Sequence, residues 1–172
     1  MLRILPFALV LLLVAPSDTI AHRHRTREVA TSFAQAWTSH STAALTDLFA
    51  EDGSFTHPFG NASQSLVVGR SSLESYLKTL FGAEMSKSTY TVKENTIRER
   101  QIGPAFVIEF EATLTGAAKL TGPLDHRATM VLERSKGPVK EPGEQHPEHW
   151  SIAALSLVAP VPEYAPRNAQ VQ

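Results

Sequence analysis

The stretch "LFAEDGSFTHPFGNASQSLVVGRSSLESYLKTLF", residues 48–81, decides how this chain folds. Its first part holds a turn signal, Asp52-Gly53, followed by a short apolar segment in which His57 stands directly before Pro58. Because proline cannot donate a hydrogen bond to a sheet ladder, a strand that contains it lies at an edge, at its own end or beside a bulge. We therefore expect His57 to lie at the rim of a sheet.

The second part of the stretch predicts a helix. Ser71 and Glu74 have the Ser-x-x-Glu spacing of a capping box, in which the two side chains satisfy free amides at the start of a helix. Apolar residues then recur at helical spacing until Gly82, where we expect the helix to end. The members of this apolar stripe are Leu73, Leu77, Leu80 and Phe81.

The rest of the chain predicts helices before this stretch and strands after it. One helical pattern has Thr26 as its expected N-cap and runs to His40, and a shorter one covers residues 42–49. From residue 89 onward the apolar period changes to two, and residues 105–116 form a long strand with one dry face. This order predicts an α+β domain in which helices cover one face of a curved antiparallel sheet.

The last predicted strand, "HWSIAALSLVAPV", residues 149–161, is apolar on both faces. Burial of both faces indicates helices over one of them and a partner subunit or the C-terminal tail over the other. The two sets are Trp150, Ile152, Ala154 and Val158 on one face, and Ala153, Leu155 and Leu157 on the other.

The N-terminal segment predicts export. Residues 1–21 combine a positively charged start, an apolar run and small residues at the end, which is the pattern of a cleaved signal peptide. We expect a secreted or periplasmic protein with one domain, residues 22–163, and a loose C-terminal tail, residues 164–172. After cleavage we expect no membrane association.

Composition narrows the classes of partner. The 172 residues include no cysteine, so we expect packing rather than disulfides to supply stability. The formal net charge of -1 argues against nucleic acid as a partner, because nucleic acid selects for a basic face. His146 and His149 lack the spacing of a zinc site, and we expect no metal and no cofactor. A mature N-terminus at His22-Arg23-His24 would offer a copper(II) chelate, which the sequence leaves open.

The order of elements and the motifs in residues 48–81 resemble the nuclear transport factor two-like (NTF2-like) superfamily, in its SnoaL-like and ketosteroid-isomerase-like branch. The motifs that carry the resemblance are Phe49-Ala50-Glu51-Asp52-Gly53, His57-Pro58-Phe59-Gly60 and Gly69-Arg70. The resemblance implies a cone-shaped α+β barrel, in which three N-terminal helices pack on a curved antiparallel sheet around an apolar pocket. It also implies that the residue before Pro58 points into that pocket.

The same resemblance implies positions for acid and base groups. In the steroid isomerases an aspartate base works with a tyrosine and a protonated aspartic acid, which together hold the developing oxyanion. By the resemblance, His57 stands in the base position, Phe33 replaces the tyrosine, and Thr129 or a neighbour falls near the second acid. Phenylalanine has no hydroxyl to donate, so we do not expect steroid isomerisation by the familial mechanism. Histidine is nevertheless a competent general base near neutral pH.

Two functions follow from these observations. The first is binding of a small, mostly apolar molecule in the cone, with cofactor-free acid/base chemistry of an isomerase, cyclase or dehydratase kind and His57 as general base. The second is a non-catalytic binding or dimerisation module, in which the cone is packed shut, His57 is structural and the sheet joins a second copy of the chain. Tyr76 and Tyr90 each offer a hydroxyl to the cone. The residues expected to line the pocket are Phe33, Trp37, Phe59, Tyr76, Leu77, Phe106, Phe110 and Met130.

Overall fold

Two helices come first in the computed structural model, followed by two strands, a third helix and the remaining strands. The structure describes residues 17–57, 66–118, 120–136 and 148–159, and only the backbone of 17–25, 135, 136 and 148. The helices are α1 (Ser17–Thr38), α2 (Thr42–Asp47) and α3 (Arg70–Gly82). The strands are β1 (Phe49–Thr56), β2 (Leu66–Val68), β3 (Thr89–Val92), β4 (Arg98–Ile102), β5 (Ala105–Thr115), β6 (Leu124–Lys136) and β7 (Glu148–Val158).

The predicted signal peptide and C-terminal tail lie outside the described residues, apart from the backbone of residues 17–21, which belongs to α1. None of the described helices is both long enough and apolar enough to cross a membrane.

The described strands form one sheet in the order β2-β1-β7-β6-β5-β3, and β4 pairs with β5 beyond the end of β3. Every pairing is antiparallel except that of β1 with β7, which is parallel. The predicted α+β class, with three helices and a sheet, is confirmed. The sheet is mixed rather than antiparallel because the last strand inserts between β1 and β6 and runs antiparallel to β6.

The apolar stripes of α1 and α3 meet the inner face of the sheet in a single core. On α1, Phe33 and Trp37 lie one turn apart on the buried side of the helix. The Nε1 of Trp37 donates to the Oγ of Ser88 at 3.0 Å, which satisfies the polar atom of this buried ring. The dry face predicted for the long strand is confirmed on β5, where Phe106, Ile108, Phe110, Ala112 and Leu114 are all buried.

The predicted ends of the first two helices differ from the structure. Thr26 is not an N-cap, because α1 begins at Ser17. Its buried Oγ1 instead donates to the Oε2 of Glu99 on β4 at 2.7 Å and ties the helix to the sheet. The second helix ends at Asp47, and Phe49 opens β1 instead of closing the helix.

The capping box predicted for α3 is also wrong. The helix begins at Arg70 after Gly69, whose φ of 85° suits glycine, and no side chain caps it. Glu74 pairs with Lys78 at 2.7 Å instead of reaching back to the start of the helix. The backbone N–H of Gly69 donates to the O of Gly53 on β1 at 2.8 Å, so a contact with the sheet sets where the helix starts.

A bulge interrupts β1 at the Asp52-Gly53 turn signal. Phe49 pairs with Ile152 of β7, and Ser54 pairs with Ala154, so residues 50–53 are an insertion within the strand rather than a loop before it. A Cβ on Gly53 would lie 2.7 Å from the O of Ile152. The bulge therefore accepts only a residue without a side chain at this position.

A second bulge, in β7, changes which residues face the core. The pairing of β7 with β6 skips Ala153. As a result Ile152, Leu155 and Leu157 all face inward and are buried, whereas Val158 faces outward and is 56% exposed. The prediction that both faces of this strand are strongly apolar is wrong, because a single inserted residue reverses the alternation of side chains.

Replacing Gly53 with alanine is expected to lower the free energy of unfolding by about 1–3 kcal/mol, because backbone must move to admit the new methyl group. Urea denaturation measures the change. Gly82→Ala is the matched control, since a Cβ at Gly82 would meet nothing within 4 Å. Equal stabilities of the two variants would contradict the close approach of β1 and β7.

Candidate functional site

His57 follows the last residue of β1 and points to the inner side of the sheet, as Phe55 does two residues earlier. It is 2% exposed. The centroid of its ring lies 5.0 Å from that of Tyr76 on α3, with 28° between the ring planes, and 5.1 Å from that of Phe55, with 31° between the planes. Both distances are typical of stacked rings. A titratable ring is thus held between an aromatic residue of the strand and one of the helix.

Tyr76 is the member of this stack that reaches the surface, where it is half-buried. Burial, with a smaller contribution from the negative charge of Glu84, raises the pKa of Tyr76 to about 12. At neutral pH the phenol is therefore protonated, and its hydroxyl is available as a hydrogen-bond donor. His57 and Tyr76 therefore bring side by side an imidazole and a phenol, two kinds of side chain that can act in general acid/base catalysis.

The start of α3 binds the strand that carries His57. Nη2 of Arg70 donates to the O of Phe49, and Nη1 of Arg70 lies 3.7 Å from the Oε2 of Glu51. With the bond between Gly69 and Gly53, these contacts join α3 to both ends of the β1 bulge. The Gly-Arg motif that marked this region in the sequence is thus the connection between helix and strand.

Six of the eight residues predicted to line a pocket lie in the packed core instead. Tyr76 lies beside His57, and Phe59 lies outside the described residues. The six core residues are Phe33, Trp37, Leu77, Phe106, Phe110 and Met130, with exposures from 0% to 7%. Side chains that line an open pocket keep surface in contact with water, which these six do not. His57, at 2% exposure, is as enclosed as these six, and of the predicted lining residues that the structure describes Tyr76 alone is half-buried. His57 is therefore closest to solvent through its contact with Tyr76.

The other two positions that the resemblance singled out supply no acid to the interior. Phe33 is buried, and its ring packs edge to face on that of Tyr90, with 5.3 Å between the centroids. Thr129 lies on the outer face of β6, where it pairs with Glu109 of β5. The two groups that assist the base in the steroid isomerases have no equivalent at these positions.

A second histidine–tyrosine pair, His126 with Tyr90, lies inside the core. Nε2 of His126 on β6 is 2.8 Å from the Oη of Tyr90 on β3, and Nδ1 is 3.3 Å from the O of Leu124. Burial lowers the pKa of His126 and raises the pKa of Tyr90, so both are neutral near pH 7. In the tautomer that fits both contacts, Nδ1–H donates to Leu124 and the hydroxyl of Tyr90 donates to Nε2.

The sequence pattern singles out the hydroxyl of Tyr90 but not His126. The alternation of side chains along the strands places His126 on the inner face. On that face Ala112 of β5 pairs with His126, and Leu114 of β5 pairs with Tyr90. A polar residue at an inward position of each neighbouring strand predicts a buried polar contact.

Acid is expected to destabilise the fold through His126. Burial depresses the pKa of this imidazole in the folded chain, whereas the unfolded chain has the ordinary value of about 6.5. As the pH falls below about 6.5, the unfolded state binds the proton first, so stability that is fully present above this pH is lost as the pH approaches the folded pKa. The loss is at most about 1.4 kcal/mol per pH unit for one proton.

Urea denaturation of the wild-type protein and of His126→Gln at a series of pH values measures this effect. The stability of the variant should depend less on pH below about pH 6.5. Parallel curves for the two proteins would show that His126 does not titrate on unfolding.

A charged groove of about 660 Å³ lies on the outer face of the sheet. Nζ of Lys93 lies 3.2 Å from the Oδ1 of Asp125 and 3.9 Å from the Oε2 of Glu111, so opposite charges in the groove pair with one another. Within the described ranges, no three His, Asp or Glu side chains are grouped so that they could hold a metal ion. The groove is lined by Lys93, Glu109, Glu111, Asp125, Arg127, Thr129, Val158 and Ala159, and also by His126, which is 3% exposed and hydrogen-bonds to Tyr90 in the core.

The protein family follows from a comparison with family models. The model described as SnoaL-like domain matches residues 27–139, which is more than half of the chain. The chain belongs to the SnoaL-like domain family. The matched residues include His57, Tyr76 and the Gly69-Arg70 motif. No curated protein matches the chain.

Solved structures share the fold of this SnoaL-like domain at low sequence identity. An NTF2-like protein of unknown function from Pseudomonas putida KT2440 has a TM-score of 0.64 and 13% identity, with 84% of this chain and 91% of that chain covered. An NTF2-like superfamily protein from Salmonella enterica serovar Typhimurium LT2 has a TM-score of 0.63 and 19% identity, covering 88% and 98%. An NTF2-like protein with a cystatin-like fold from Novosphingobium aromaticivorans has a TM-score of 0.63 and 12% identity, covering 89% and 95%. The predicted NTF2-like fold is confirmed.

Proposed function

We propose that this SnoaL-like domain binds a small, mostly apolar molecule beside His57 and Tyr76 and uses His57 as a general base, without a cofactor. The observation that carries the proposal is the stack of the buried imidazole on the half-buried phenol, with 5.0 Å between the ring centroids. A base and a donor lie together at the border between the apolar core and the surface. Phe55 beside them makes the surroundings apolar, which favours an apolar ligand and strengthens hydrogen bonds to developing charge.

The reaction class that fits these two groups is proton abstraction next to a carbonyl group. An unprotonated ring nitrogen of His57 takes the α-proton, and the electron pair of the broken C–H bond moves into the enolate. The hydroxyl of Tyr76 donates a hydrogen bond to the enolate oxygen. Return of the proton to the same carbon exchanges it with solvent, and return to another carbon of a conjugated enolate gives an isomer. Neither outcome needs an oxidant or a metal.

Access for the ligand comes from the surface side of the site, where Tyr76 is half-buried. A flat ligand ring packs there against the open part of the phenol, while Tyr76 stays beside His57 and keeps its hydroxyl available to the ligand. We therefore expect flat cyclic ketones to bind better than open-chain ketones.

Deuterium exchange into a ketone tests the proposed function. The purified protein is incubated in D₂O with 2-tetralone, which has acidic α-protons, and proton NMR follows their replacement. We expect exchange at a higher rate than in buffer that contains the same concentration of free imidazole. A rate equal to that of free imidazole would contradict the proposal.

A second candidate function, association of two copies through the outer face of the sheet, is favoured by a different observation. The centre of the cone is filled by buried side chains such as Phe33, Trp37 and Met130, whereas the outer face carries an open groove with charges of both signs. A two-fold axis through such a groove places the basic residues of one copy against the acidic residues of the other.

Sedimentation velocity over a range of protein concentrations tests this association. We expect a dimer that Arg127→Glu weakens, because the substitution places like charges in the groove. A wild-type protein that remains monomeric at every concentration would contradict it. The two candidate functions use opposite faces of the sheet, so each test is independent of the other.

A further inference from the structure

We infer that Arg70 is a positioning residue for the His57 site, because its hydrogen bond to β1 sets the spacing between the imidazole and the ring of Tyr76. The inference rests on the proposed function, since it assigns a further role at the same site. It is carried by the contacts between the start of α3 and the bulge in β1.

The first residues of α3 hold both ends of the bulge. The backbone N–H of Gly69 donates to the O of Gly53 at 2.8 Å, and Nη2 of Arg70 donates to the O of Phe49. Phe49 directly precedes the insertion at which β1 leaves its register with β7, and Gly53 is the last residue of the insertion. At the bulge, where β1 is out of register with β7, the hydrogen bonds from the start of α3 hold β1 in position.

The two elements joined at this point carry the two rings of the site. His57 follows Gly53 by four residues, and residues 54–56 between them pair in register with β7. Tyr76 follows Arg70 by six residues on α3, which is about 9 Å along the axis at 1.5 Å per residue. Because both segments are regular over these short lengths, the distance between strand and helix at Arg70 determines the distance between the two rings.

The surroundings of Arg70 favour this role over a purely stabilising one. The side chain of Glu51, at 3.7 Å, is 82% exposed, and an ion pair with an exposed carboxylate contributes little. Nε of Arg70 is buried and has no hydrogen-bond partner in the described part of the chain, which is a cost. The contact that requires an arginine is therefore the hydrogen bond to the O of Phe49, because a planar guanidinium donates in fixed directions. The ammonium group of lysine does not have this geometry.

Proton NMR of the His57 ring tests the inference, because the ring current of a stacked Tyr76 displaces the chemical shifts of the imidazole protons. The variants are Arg70→Lys and Arg70→Gln, and Glu51→Gln is the matched control that removes the ion pair alone. Tyr76→Leu supplies the shifts of an unstacked imidazole. The ring signals of His126, in the core, report any general change of the fold.

We expect both Arg70 variants to move the His57 shifts toward those of Tyr76→Leu while the His126 signals stay in place. We also expect the exchange rate of 2-tetralone to fall at least about tenfold, because small displacements of reacting groups cost large factors in rate. Glu51→Gln should leave the shifts and the rate unchanged.

Wild-type His57 shifts in both folded Arg70 variants would overturn the inference, even with a lowered melting temperature, because Arg70 would then act on stability alone. A failure of the proposed function gives another pattern, in which wild-type protein does not exchange 2-tetralone and the His57 shifts still respond to Arg70. Should Arg70→Gln not fold, the shifts of Arg70→Lys, which keeps the charge, decide the question.

Discussion

Replacing Trp37 with alanine is expected to lower the free energy of unfolding by about 3–5 kcal/mol. The side chain is fully buried, and its ring centroid lies 5.8 Å from that of Phe33, 6.4 Å from Phe55, 5.3 Å from Phe81 and 5.7 Å from Tyr90. The substitution removes these contacts, leaves a cavity between α1 and the sheet, and deprives Ser88 of the hydrogen bond from the indole.

Urea denaturation measures the loss, with two variants for comparison. Trp37→Phe keeps an aromatic ring and should lose less stability than Trp37→Ala. Val158→Ala, at an exposed position, should change stability by no more than about 0.5 kcal/mol. A loss below about 1 kcal/mol for Trp37→Ala would mean that the centre of the cone is not tightly packed, and it would restore the predicted central pocket.

Replacing His57 with alanine is expected to lower the rate of deuterium exchange into 2-tetralone by about 10²–10⁴-fold, the range that a general base contributes. His149→Ala is the matched control, since it removes an exposed imidazole from β7, away from the inner face. Tyr76→Phe, which keeps the ring and removes the hydroxyl, should lower the rate by a smaller factor, because the base remains.

The stability and the exchange rate of His57→Ala together separate a base from a structural residue. Because the imidazole is 2% exposed and packs on Phe55 and Tyr76, its removal lowers the melting temperature in either case. If His57 is the base, the exchange rate falls as well. A loss of stability together with an unchanged exchange rate would show that His57 is part of the scaffold.

The order of elements could be predicted because periodicity depends on local backbone geometry. The stripe of α3, from Leu73 to Phe81, is buried as its helical spacing predicts. The alternation along β5 likewise gives its inner face correctly. The inward direction of His57 was implied by its position before Pro58 in the family motif, and the structure has it pointing inward.

The two bulges could not be predicted, because each depends on the register of β7 against a neighbouring strand, β1 for the first bulge and β6 for the second. The bulge in β7 moved Ile152 to the same face as Leu155 and removed the argument for an apolar outer face. The start of α3 likewise depends on β1. Gly69 and Arg70 hydrogen-bond to the strand, so the helix begins at Arg70 and Ser71 does not cap it.

The sequence pattern also could not predict that side chains fill the centre of the cone. A family resemblance implies a pocket, but whether space remains depends on the volumes of side chains that meet from α1, α3 and the sheet. Here Phe33, Trp37 and Met130 are at most 1% exposed. The site that we propose therefore lies at His57 and Tyr76 rather than at the centre of the cone. The stacking of these two rings gave no signal in the spacing of residues alone.

The most direct test of the central claim, that a small molecule binds beside His57, is an NMR titration of isotope-labelled protein with 2-tetralone that follows the imidazole signals of His57 and His126. We predict a saturable change in the His57 signals with those of His126 in place, because His126 is enclosed in the core with Tyr90. Unchanged His57 signals at ketone concentrations that support exchange, or changes confined to residues of the outer groove, would contradict the claim.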